Sequence, residues 1–66
     1  MLSQQAKQIL TTQKQQFTMA LKWIDFIENE NTLPVDRATA VEQLGITISG
    51  IISLAADIAE IKNPLS

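Results

Sequence analysis

Sixty-six residues without a Cys or a His make this chain one small domain, and they exclude disulfides, thiolate metal sites and any zinc-finger pattern. The formal net charge of -2 is unevenly placed: residues 1–24 hold Lys7, Lys14 and Lys22 with no acid, whereas residues 25–66 hold seven acids against Arg37 and Lys62. A core of this size seldom supplies more than roughly 3–5 kcal/mol, so oligomerisation or docking is the expected source of further stability.

The first half is periodic. Leu2, Ala6, Ile9, Leu10, Phe17, Ala20, Leu21, Ile24 and Ile27 recur at steps of three and four residues. At about 100° per residue they wind into one stripe, which predicts a helix over residues 3–29. The Gln-rich run from Gln4 to Gln16 lies inside it, and Gln is a fair helix former. Gln13 falls within the stripe. It is either a buried polar residue that fixes register or a mark of loose packing, and the loose reading is preferred at this point.

The stretch NENTLPVD breaks the pattern. Pro34 pushes Leu33 toward extended geometry and suits the first turn of a following helix, and Asp36 favours the positive helix N-terminus. Asp25, Glu28, Glu30 and Asp36 crowd this end. A calcium loop would want a turn Gly and alternating oxygen ligands, and neither is present. The acids read as a solvated loop or as the acidic side of a contact, and no metal or cofactor is expected.

The second helix is expected over 34–62, with Ala40, Val41, Leu44, Ile48, Ile51, Ile52, Ala55, Ile58 and Ala59 on its stripe. Thr39, Glu42, Ser49, Ser53, Asp57 and Glu60 lie opposite. Within it, GITISG alternates like a strand over a few residues. The helical period holds far longer on both sides, so a continuous helix is expected. Two glycines weaken it by about 1 kcal/mol each relative to Ala.

VEQLGITISGI also resembles the core of a helix-turn-helix motif, with Val41, Gly45, Ile46 and Ile51 at its key positions. That resemblance implies a third helix after a break at Gly45, kept as the alternative fold. Val41 is larger than the motif prefers. The would-be recognition helix, from Ile48 to Asp57, offers no Arg, Lys, Asn or Gln to read base edges, and its one charge is negative. The competing explanation is that Gly45 and Ser49 are small so that another helix can approach closely.

Nothing points to catalysis. His, Cys and Tyr are absent, Ser49 and Ser53 have no base beside them, and no Gly-rich phosphate loop occurs. No basic n-region precedes an apolar run. The uncharged stretch Gln43–Ala56 falls short of the about 20 apolar residues a bilayer span needs. A cytoplasmic, non-membrane protein is expected.

Met19, Trp23 and Phe26 form a second apolar patch on the first helix, displaced from its stripe, and Leu54 and Ile61 are off-stripe on the second. One helix partner cannot cover both faces. These five residues are the expected protein interface, serving a second copy of the chain or a different protein.

The expected fold is all-α: residues 1–66 form one antiparallel αα-hairpin, paired into a dimeric four-helix bundle. That arrangement resembles ROP-like dimers in architecture only. The expected function is a small protein–protein interaction module of adaptor, inhibitor or co-chaperone type. The alternative is a nucleic-acid-binding regulator, a ROP-like hairpin dimer or degenerate helix-turn-helix, using Lys7, Lys14 and Lys22. Three lysines are a thin electrostatic footprint for nucleic acid.

Overall fold

The computed structural model describes residues 2–61. Two helices pack against each other along their length: α1, Gln4–Glu28, and α2, Pro34–Glu60. These bounds match the expected ones closely at both inner ends; the expected end of the second helix, residue 62, lies outside the described residues. At 1.5 Å rise per residue each helix is about 40 Å long. The radius of gyration is 15.2 Å, against about 11 Å for a compact domain of this length. The hairpin is therefore a rod with little interior.

Local chemistry sets the ends. Ser3 caps α1, its Oγ accepting the Ala6 N–H at 3.0 Å. At the far end the extended Asn29 donates its N–H to the Asp25 carbonyl. Asn31 N–H bonds Asn29 Oδ1 at 2.9 Å, and Thr32 Oγ1 donates to Phe26 O at 2.8 Å. Leu33 is extended, as the following Pro requires, and Pro34 opens α2.

Arg37 holds the turn shut. Its Nε–H donates to Ile27 O at 3.0 Å, and its Nη2 donates to Asn29 O at 3.1 Å and Thr32 O at 3.3 Å. The guanidinium thus satisfies the Ile27 carbonyl that α1 leaves unpaired at its end and ties two loop carbonyls to it, and its charge suits the negative pole of that helix.

α2 runs unbroken through GITISG, and neither glycine has positive φ. The three-helix alternative, with a break at Gly45, is overturned. Thr47 bonds its hydroxyl back to Gln43 O at 2.9 Å, which lets a polar residue sit half-buried inside the helix without an orphan donor.

Candidate interaction faces

The buried and half-buried residues of α1 are Ala6, Ile9, Gln13, Gln16, Ala20, Trp23 and Ile27. Their steps alternate three and four, the heptad spacing of a helix seam. On α2 the matching line is Arg37, Ala40, Leu44, Thr47, Ile51, Leu54, Ile58 and Ile61. This seam is thin. Its most buried members are Ala6, Ala20, Ala40 and Gln13, and among the described residues no large side chain is fully buried.

Gln13 corrects the sequence reading. It is only 7% exposed, and its Nε2 donates across the hairpin to Ile51 O at 3.1 Å. It is the buried register-fixing residue, and loose packing is not the reason for its place in the stripe. One turn on, the Gln16 amide lies against Gly50: a Cβ built there would sit 2.8 Å from Gln16 Nε2. A side chain at Gly50 would displace this amide, the mobile end of Gln16. Gly45 has nothing within 4 Å of a built Cβ, so the hairpin itself gives no reason for that glycine.

The expected interface residues divide. Trp23, Leu54 and Ile61 are half-buried on the seam, along the hairpin's own contact line. The Trp23 indole Nε1 is shielded without a partner, and its ring meets Phe26 edge-on at 6.5 Å. Met19 and Phe26 remain exposed on the far side of α1 from the stripe's large residues. One helix partner covers Trp23 after all, because the contact line runs along one edge of the apolar stripe and not through its middle.

The rest of the stripe is therefore left outside. A second heptad line follows the seam one residue later on each helix. On α1 it reads Lys7, Leu10, Lys14, Phe17, Leu21, Ile24 and Glu28; on α2 it reads Ala38, Val41, Gly45, Ile48, Ile52, Ala55 and Ala59. All of these residues are exposed, with Phe17 at 53%, Leu21 at 62% and Ile52 at 67%. Advancing one residue turns each helix about 100°. In an antiparallel pair that rotation carries both lines to the same broad face.

The cross-hairpin contacts fix the levels along this face. Gln13 is level with Ile51 and Arg37 with Ile27. Continuing that register pairs Leu10 with Ala55, Phe17 with Ile48 and Ile24 with Val41. The opposite broad face carries Met19, Phe26 and Ile46 among polar residues, all three exposed.

Lys7, Lys14 and Lys22 are exposed. Lys7 and Lys14 share the second heptad line, whereas Lys22 is turned about 100° from it at heptad pitch. The three do not form one file along a single face. Among the described residues no group of three or more Asp, Glu, His or Cys is placed to hold a metal ion. A shallow cleft of about 170 Å³ at the open end, beside Ser3, Ala6 and Asp57, is smaller than the about 300–1,000 Å³ of small-molecule sites. α2 is long enough and, with a mean hydropathy of 1.4 over its most apolar 18 residues, apolar enough to cross a membrane. The uncharged stretch alone had understated it.

No protein-family model matches the sequence, and no curated protein or solved structure is significantly similar to it.

Proposed function

We propose that this chain is a small non-enzymatic interaction module whose working form is a homodimeric four-helix bundle. The observation that carries the reading is the broad face on which Leu10, Phe17, Leu21, Ile48 and Ile52 lie exposed side by side. A monomer with this face open would present a continuous apolar strip along most of its length. The footprint supports a second copy as its cover. A face of 49 by 16 Å spans roughly the 800 Å² per partner of a standard stable interface. The heptad spacing on both helices is the pattern by which helices mesh with further helices.

Closing that face leaves Met19, Phe26 and Ile46 outside the bundle as the anchors for a different protein, as an adaptor or inhibitor requires. A soluble, cytoplasmic setting accords with this reading. The apolarity of α2 is divided between the seam and the one broad face, while Glu42, Ser49 and Ser53 point elsewhere on the helix. A span would surround such residues with lipid.

Sedimentation equilibrium tests the proposal. The expected result is twice the chain mass at micromolar concentration, with Phe17→Asp and Ile52→Asp each shifting the protein to monomer. A cooperatively folded wild-type monomer at high dilution would overturn it. So would partition of the wild type into neutral lipid vesicles in preference to self-association.

A further inference from the structure

The charges of α1 run against its own dipole. The positive N-terminal end carries Lys7 and no acid in its first turn; the negative C-terminal end carries Glu28 and no base in its last turn. Each placement is unfavourable to an isolated helix. Both residues are exposed, and both sit on the second heptad line, at its two extremes. Neither has a salt-bridge partner within the hairpin's described contacts that would explain it. Arg37 offsets the C-terminal pole from across the turn, and a partner of opposite charge at each end would offset the two placements directly.

We propose that the second copy seats with its loop at the opposite end, so that Lys7 of each protomer pairs with Glu28 of the other. The inference rests on the dimer reading above and specifies its geometry. Two face-to-face arrangements obey two-fold symmetry. With loops at the same end, α1 lies over the partner's α2 at the same level. Lys7 and Glu28 then face the uncharged Ala59 and Ala38 on the other copy's line. With loops at opposite ends, α1 lies over the partner's α1 in reverse. The heptad line then brings Lys7 to Glu28, Leu10 to Ile24 and Phe17 to its own copy on the axis. Over α2, the same operation sets Gly45 against Ile52. That supplies the large neighbour for a glycine that meets nothing inside its own hairpin.

The loop end gives an independent reason. Asp25, Glu28, Glu30 and Asp36 gather there with Arg37 as the one base among them. Loops placed together would stack this negative charge on its copy, and like charges juxtaposed at an interface oppose association. Loops placed apart bring it instead toward the open ends, where Lys7 offsets part of the charge of Asp57 and Glu60 and the acid is less dense.

The chain has no cysteine, so a single spin label at Asn31→Cys reports the loop position cleanly. The expected result by pulsed dipolar spectroscopy is a single long distance, near the 49 Å length of the hairpin. A dimer mass with a short distance would overturn the inference and leave the dimer standing. A monomer mass without dipolar coupling would overturn the dimer itself. Charge exchange supplies the second arm. Lys7→Glu and Glu28→Lys each improve α1 with respect to its dipole, so helicity should hold or rise. Each should nevertheless weaken self-association about tenfold, from two ion pairs turned repulsive. Mixing the two variants restores opposite charges at both ends and should recover wild-type affinity. Unchanged affinity in both single variants would overturn the pairing.

Discussion

Gln13→Met tests the seam where its energetics are most exposed. Gln13 is buried, its Nε2 donates to Ile51 O at 3.1 Å, and its Oε1 is buried without a partner. Met is unbranched and of similar length, so it follows the same path with little repacking. The substitution loses one hydrogen bond, about 1 kcal/mol net. The Ile51 carbonyl keeps its place in the helix ladder and is not orphaned. The substitution also removes the unsatisfied Oε1, whose burial costs about 1–3 kcal/mol. Replacing amide by thioether and methyl adds apolar burial of about 1 kcal/mol. The balance is a gain of about 1–3 kcal/mol. Urea denaturation of both proteins at one matched chain concentration measures it, because stability of an assembling chain depends on concentration. A loss of 1 kcal/mol or more in Gln13→Met would refute the reasoning. The amide would then be contributing more than its orphaned oxygen costs. The price of the stable variant is specificity: with the cross-hairpin bond gone, packing alone holds the helices in register at this level, and side-chain methyl spectra should broaden.

Two further outcomes follow from side chains whose partners are on view. Arg37→Met removes three donor contacts from the turn and should cost about 2 kcal/mol, since exposed carbonyls recover part of the loss from water; amide exchange across residues 29–33 should quicken while mid-helix amides stay protected. Trp23→Ala opens the seam beside Ala20 and Ile27 and should cost about 2–3 kcal/mol, below the full burial range because the ring is only half-buried; circular dichroism melts should show lost helical stability, and a variant that stays equally stable would place Trp23 outside the hairpin core.

Much of the fold was legible because it rests on long periodic patterns. Both helices follow from three- and four-residue recurrence, and the turn from Pro34 and the Asn and Thr beside it. GITISG shows why the longer pattern decides. Its β-branched residues prefer a strand locally, but the surrounding phase and the packing against α1 override that preference. The contact line was harder to read. An apolar stripe marks what avoids water and does not say which part of it meets the first neighbour. The hairpin uses the edge bearing Ala6, Gln13, Ala20 and Ala40, since small residues permit close approach, and leaves Phe17 and Leu21 outside. The evenly spaced small residues and the glutamine among them were the available sign. Arg37 was missed for a different reason. Its role depends on a loop that returns it to the end of the preceding helix, and only its position shortly after Pro34 hinted at that return.

The allocation of size between the two lines is itself an argument about order of assembly. Interaxial distance follows the side chains at the contact, and a seam whose most buried members are Ala6, Gln13, Ala20 and Ala40 sets α1 and α2 close, with Ile9, Trp23, Ile27, Leu44, Ile51, Leu54 and Ile58 only half-buried along it. Such a seam specifies register through Gln13, while its large side chains give only part of the hydrophobic free energy their full burial would. Further large side chains sit on the broad face, where only another chain can cover them. Under the proposed dimer, then, the seam determines which residues of the two helices are level, and the broad face supplies the stability. The levels set by Gln13–Ile51 are what carry Phe17 and Ile48 to the two-fold axis and Lys7 to Glu28 of the other copy. A shift of one helical turn in the seam would displace every pair on the face together. A buried amide that costs stability is retained, on this account, because the outer interface depends on the register it fixes.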